Sequence, residues 1–234
     1  MFRPFDAVRV WHTSRTTPTS GRWKNIEVRP AATNHEVQAL TGLLAREETS
    51  SNYVPLPEVL PHEHHAIHPV LVGAWHDGDL VGAAWAGSSE QEADWARGLG
   101  FNDDADVIRQ HVAMVHSIAV ERGARRHGVA LALKDWLGAW ARKHDAHVIL
   151  SCLTNDQARS LNQKAGHVVL DPGVSLVMQV KTSQRTYQFP IDEGTAWAMR
   201  LLRQASHAAV RVGVLEPGTT TNRQGQHVHV RFLS

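Results

Sequence analysis

Apolar and polar positions alternate with two different periods along this chain, and each change of period marks a new element. In NIEVRPA, Ile26 and Val28 stand two apart, the spacing of a short strand. TNHEVQALTGLLAREE then sets Val37, Leu40 and Leu44 at helical spacing behind a capping residue, Thr33 or Asn34. VLVGAWHDGDLVGAAWAG is two apolar runs around Asp77-Gly78, a strong hairpin signal. A further strand ends at Val120, and residues 128–143 carry Leu133, Trp136, Leu137 and Trp140 on one helical stripe. AHVILSCL is the continuous apolar run of a buried strand, and NDQARSLNQKAG reads as a short capped helix closed by Gly166. HVVLDPGVSLVMQVK predicts a hairpin about Asp171-Pro172-Gly173. Beyond Thr182, DEGTAWAMRLLRQASHAA predicts another amphipathic helix, followed by two paired strands in VRVGVL and HVHVRFL. Residues 12–25, the proline- and histidine-rich segment ending at Pro69, and the acidic SSEQEADWARGLGFNDDADV read as irregular connections. This order predicts an α/β domain on a mixed sheet over residues 25–181. A lead-in (1–24) precedes it and a C-terminal helix-and-strand extension (182–234) follows.

Composition narrows the function classes. A chain of 234 residues holds one large domain, or one domain and an appendage. A formal net charge of +1, without a basic stripe interleaved with aromatics, argues against a nucleic-acid surface. The single cysteine, Cys152, excludes an intramolecular disulfide framework and suits a reducing compartment. No apolar segment is long enough to span a bilayer, and MFRPFDAVRV lacks the apolar core of a signal peptide, so a cytoplasmic location is expected.

The chemistry concentrates in VHSIAVERGARRHGVALALKDW, residues 115–136. A basic, glycine-containing turn, with Arg122, Arg125, Arg126 and Gly128, joins a strand directly to a helix. A helix start offers unpaired N–H groups and the positive end of its dipole, and glycine admits close approach, which together make a phosphate cradle. The same residues would also suit a solvated turn.

Arg125-Arg126-His127-Gly128-Val129-Ala130 matches Arg/Gln-x-x-Gly-x-Gly/Ala, and so resembles the coenzyme A signature of the GNAT superfamily of acyl-CoA-dependent N-acetyltransferases. Downstream, Asn155, Ala158, Leu161 and Gly166 resemble the family's second motif, and the likeness extends over about residues 25–181. It implies a mixed, mostly antiparallel sheet with helices on both faces and splayed central strands, plus the C-terminal α/β extension. Acetyl-CoA would be the cosubstrate. Ile118, Ala119 and Val120 would meet the pantetheine arm, Arg125, Arg126, His127, Gly128, Val129 and Ala130 would wrap the pyrophosphate, and Asn155 and Ser160 would flank the arm from the other side.

The reaction so implied is direct attack of an amine on a thioester. His116 is the candidate base: period-two counting puts it on the face of Ile118 and Val120, and HSIAV resembles His-x-Leu-Ala-Val of the arylalkylamine branch. A hydrogen-bonded core histidine is the alternative. The tyrosine that the family uses as acid after Leu161 is replaced by Asn162, which cannot deliver a proton. Tyr53 and Tyr187 lie outside the motif, Ser117 and Ser160 are weaker substitutes, and Cys152 reads as a packed residue. No metal is expected, since Pro61 and Pro69 frame the histidines of HEHHAIH without a further ligand set. The acceptor is expected to be a small-molecule primary amine, with a peptide or protein amine second. The acidic segment with Glu90, Glu92, Asp94, Asp103, Asp104 and Asp106 would attract a cation if it borders the site, although a solvated loop is the plainer reading. The rival from another class is a coenzyme A-binding regulatory protein without turnover. A homodimer contact through the C-terminal extension is left open.

Overall fold

A computed structural model describes residues 25–47, 67–204, 206–221 and 227–234. The lead-in 1–24, Tyr53 and His62 to His65 of the histidine-rich segment lie outside the described residues.

Strand β1 (Ile26–Pro30) leads into helix α1 (Asn34–Glu47). Thr33 Oγ1 accepts from the Glu36 N–H, and the Glu36 carboxylate accepts from the Ala32 N–H and pairs with Arg29 at 2.7 Å. That pairing, with the Arg29 hydrogen bond as the largest cause, holds the Glu36 carboxyl at about 2. The hairpin of β2 (Val70–His76) and β3 (Asp79–Ser88) turns as expected through Asp77 and Gly78, both at positive φ (52° and 89°). Next come α2 (Glu90–Gly98), α3 (Asn102–His111) and β4 (Val112–Val120), then α4 (Val129–Lys143), β5 (Val148–Leu153) and α5 (Asp156–Lys164). Seven strands make the main sheet, in the order β1-β2-β3-β4-β5, then β9 (Ala196–Leu201), then β6 (Val168–Val169). Every neighbouring pair is antiparallel except β4 and β5. Leu40, Leu43 and Leu44 of α1 pack on Ala83, Trp85 and Ala119 on one face, and Val129, Leu133 and Leu137 of α4 pack with Val72, Ala84 and Val115 on the other. Among the described residues no helix is long and apolar enough to cross a membrane.

Three sequence expectations are corrected. The acidic segment is not a loop but the helix pair α2–α3, whose buried apolar residues are Ala93, Ala96, Ala105 and Ile108, with Glu92 and Asp104 buried beside them. The expected hairpin about Asp171 is a crossing between sheets: β6 pairs with β9, whereas β7 (Leu176–Val180) pairs with β8 (Arg185–Phe189) and with β10 (Val210–Thr221). The predicted helix after Thr182 is instead β9, a strand inside the main sheet beside β5. The extension is therefore not a separate appendage, and among its described residues it is built of strands. Its remaining strands, β10 and β11 (His227–Phe232), pair as the alternation predicts and belong to a second sheet, β11-β10-β7-β8.

That second sheet and α2–α3 share one core with Met114, Val148, Leu150 and Met199 of the main sheet. Asp104, 2% exposed, anchors the contact by accepting from Tyr187 Oη at 2.5 Å and Ser183 Oγ at 2.8 Å, with Arg185 3.5 Å away. Asp104→Ala strands two donors and an arginine, so denaturant unfolding should show a loss of about 2–4 kcal/mol.

Candidate active site

β4 and β5 run side by side only from Val112↔Val148 to Val115↔Ser151. Beyond that pair β4 follows β3 to Val120 while β5 follows β9 to Leu153, and a gap opens between them. The Glu121 N–H donates to Val81 O at 3.1 Å. Ladder alternation then turns the backbone of Ala119 toward β3 and that of Ile118 and Val120 into the gap. Ala119, grouped with its neighbours from the sequence, is thus turned away, with its side chain in the α1 cluster. The Val120 carbonyl is already met by Arg125 Nε at 3.2 Å.

Period-two counting fails at His116. Trp85 pairs with Ser117 and Ala86 with Val115, so β4 carries a bulge at His116. Ala113 and Val115 pack toward α4 before the bulge, and Ile118 and Val120 do so after it. His116 does not share their face. It lies on the opposite one, stacked on Trp85 with ring centroids 4.4 Å apart. Burial pushes its pKa down to about 4, against the pull of Glu90. Glu90 accepts from Ser88 Oγ at 2.5 Å and from Arg109 Nε at 2.9 Å. Glu92, 4% exposed, accepts from Ser89 Oγ at 2.7 Å, and burial raises its carboxyl. Trp85 packs with the α1 leucines in the core of this face and presents its ring to His116.

On the α4 side the glycine shapes the turn. Gly128 adopts φ 87° at the helix N-cap, preceded by Arg126 at φ 66°, and no side chain caps α4. The Ala132 N–H makes the first bond back to Gly128 O (2.9 Å), leaving the N–H groups of Val129, Ala130 and Leu131 ahead of it. The arginines divide their work. Arg125 Nη2 binds Glu47 at 2.7 Å, with Arg122 Nε 4.0 Å from the same carboxylate, so Arg125 clasps the end of α1 rather than reaching outward. Arg126 and His127 are exposed beside the helix start. Backbone donors, an open glycine and a flanking positive charge fit a pyrophosphate.

A gap between parallel strands, joined to an uncapped helix start, is also where a sequence profile agrees: that of the Acetyltransferase (GNAT) family matches residues 37–167. The chain belongs to the GNAT acetyltransferase family. It is an N-acetyltransferase, with acetyl-CoA as acyl donor. No curated protein matches the sequence. Solved structures resemble the chain at low identity. The polyamine N-acetyltransferase of Drosophila melanogaster is 19% identical, with a TM-score of 0.47 over 76% of this chain and 100% of that one. A Bacillus subtilis acetyltransferase in complex with CoA is 16% identical (TM-score 0.46, 76% and 100% covered). The ribosomal-protein-S18-alanine N-acetyltransferase of Escherichia coli is 12% identical (TM-score 0.46, 78% and 97% covered).

The remaining expected site residues of this GNAT enzyme are distributed unevenly. Asn155 caps α5, its Oδ1 accepting from the Ala158 N–H at 2.8 Å, and Ser160 is exposed on that helix. Asn162 is buried and donates to Ala158 O at 2.9 Å, while its Oδ1 has no partner among the described residues. Tyr187 donates to Asp104 and belongs to the second sheet, not to the sheet in which the gap opens. Cys152 is exposed on β5, its thiol raised first by burial and then by Glu92 and Asp192. Sequence reasoning missed Lys134 and Ser151, a buried pair at the head of the gap. Their only signal was a lysine on the apolar stripe of α4.

Among the described residues, His111, Asp145 and His147 bring ligand-type atoms within 4.8 Å of one another. The Ala209 N–H donates to His147 Nδ1 at 2.8 Å, which leaves the ring proton of a neutral imidazole on Nε2. That nitrogen has no lone pair for a metal. Arg203 pairs with Asp145, so the group ties the start of β5 to the chain after β9.

Proposed function

We propose that this GNAT enzyme acetylates a primary amine on a small cationic acceptor by direct attack on acetyl-CoA, with His116 taking the amine proton. The observation that carries this reading is the bulge in β4. It places His116 across the sheet from α4, so cofactor and acceptor would enter from opposite faces and meet in the gap. On the acceptor face, Glu90 and Glu92 would favour a cation and Trp85 would stack on its apolar part. A base with a pKa near 4 is neutral at working pH and competent to accept a proton, although a weak driver of transfer. The free amine must therefore form first, and kcat/KM should rise with pH until the acceptor itself is deprotonated.

Calorimetry with acetyl-CoA, then thiol release over a panel of amines, tests the reading. Binding with amine-dependent release is expected, best with diamines and other small cations. His116→Ala should lower kcat by about a hundredfold, the low end for loss of a general base, because a base held near 4 is a weak one. Equal turnover with neutral and cationic acceptors would refute the assignment of the acidic face.

A further inference from the structure

Lys134 is among the buried ionisable groups that the chemistry above leaves unused, and His167, also buried, lies within electrostatic reach of it. Lys134 of α4 is 2% exposed, and its Nζ donates to Ser151 Oγ at 2.6 Å. Ser151 is 3% exposed and faces Val115 in the last pair before β4 and β5 separate. An ammonium has three protons and no lone pair, so Ser151 accepts from Lys134 and keeps its own proton to give elsewhere. Packing alone does not call for this arrangement. Burying an ammonium against a neutral hydroxyl costs stability, and an apolar side chain of similar length would fill the same space. Burial alone lowers Lys134, to about 7, and no carboxylate offsets it. The pair lies on the α4 side of the sheet, the side of the Gly128 cradle. The residue after Leu161, where the family resemblance implies a phenol, is Asn162, turned back onto its own helix.

We propose that Ser151, held and polarised by Lys134, protonates the sulfur that leaves acetyl-CoA, in the role of the missing phenol. This rests on the acyltransferase reading above. When the carbon–sulfur bond breaks, its electron pair stays on sulfur. Ser151 Oγ gives that sulfur its proton, and Lys134 Nζ replaces the proton on Ser151. The attacking amine loses one proton as the thiol gains one, so the cycle balances once Lys134 recovers a proton through solvent. Ser151 is the catalytic residue here and Lys134 a positioning residue.

The test needs no acceptor and no turnover. Coenzyme A bound to the protein is titrated between pH 6 and 10, following thiolate absorbance in the ultraviolet, in wild type, Lys134→Met and Ser151→Ala. A directed hydroxyl, together with the Lys134 ammonium that a thiolate beside it favours in turn, stabilises the anion, so the bound thiol should ionise roughly one pH unit or more below that of free coenzyme A. Lys134→Met and Ser151→Ala should each return it to the free value while keeping affinity at pH 6 within about threefold. Lys134→Met removes a buried charge and is expected to fold, and Ser151→Ala supplies an independent check. Identical thiol titration in all three proteins would overturn the relay and leave the acyltransferase reading standing. Failure of the wild type to bind coenzyme A would overturn that reading, and the relay with it.

Discussion

Gly128→Val is expected to weaken coenzyme A binding by about 100-fold or more while leaving a folded protein. Both halves follow from the geometry. A Cβ built at Gly128 meets nothing within 4 Å, so the substitution clashes with no part of the chain. The strain of a β-branched residue at φ 87° costs on the order of 1–3 kcal/mol, which a domain of this size tolerates. What the new side chain does enter is the space in front of the N–H groups of Val129 and Ala130. Hydrogen bonds to a charged group are each worth about 1.5–3 kcal/mol, and every 1.4 kcal/mol is tenfold in affinity. Losing one or two of them gives the expected factor. Gly123→Val is the control: it lies in the same turn, its Cβ also meets nothing within 4 Å, and it precedes the helix start. It should bind coenzyme A normally. Unchanged affinity in folded Gly128→Val would remove the pyrophosphate from this helix start.

The second large effect is acid lability well above the carboxylate range. His116 and His147 are held at about 4 and His167 at about 2, each chiefly by burial, so all three stay neutral in the folded protein. In the unfolded chain each takes up a proton near pH 6.5. The unfolded state therefore binds more protons between about pH 6.5 and 4, and stability falls as pH falls through that window. Each histidine contributes at most ~1.4 kcal/mol per pH unit, and three together approach ~4 kcal/mol per unit. Glu92 works the other way, because its raised carboxyl protonates first in the folded state, and it softens the acid end. Lys134, held at about 7 against 10.5 unfolded, makes stability climb further from neutral into mildly alkaline solution. Cys152 and Tyr187, both raised, reverse that climb above about pH 9–10. Urea unfolding from pH 4.5 to 10 should thus show a maximum near pH 9–10 and a steep loss below 6.5. His116→Phe should keep the stack on Trp85 and make the acid slope shallower. A flat profile from pH 8 to 5 would contradict the buried, neutral state of these rings.

Local chemistry made some of this fold readable in the sequence. Asp77-Gly78 dictates its hairpin, Asn155 its cap, and Gly128 its helix start, because each acts on neighbours within a few residues. The bulge at His116 left no such trace. It depends on how β3 seats against β4, and HSIAV alternates well enough to hide it. β9 was misread for a related reason. Ala196, Trp197, Ala198 and Met199 are all buried, so no polar face reveals the strand period, and their helix-forming side chains point the wrong way. The helices α2 and α3 escaped notice because their buried residues are alanines, one isoleucine and two carboxylates, with no leucine stripe to mark the helical period. Lys134 was legible only as a polar residue among apolar ones, since its partner Ser151 is seventeen positions away on another element.

The place of β9 bears on how the enzyme is made. A nascent chain released as far as residue 181 already contains every residue of the cradle and the gap. Yet β5 then shows a bare edge, with Leu150 and Leu153 beside it, and β6 has nothing to pair with, because both wait for Ala196–Leu201. Long-range pairing of this kind forms late and leaves sticky intermediates in the interval. Synthesis must pass through β7 and β8 before the catalytic sheet can close. Protection of β5 from hydrogen exchange should thus appear only after the second sheet has begun to assemble.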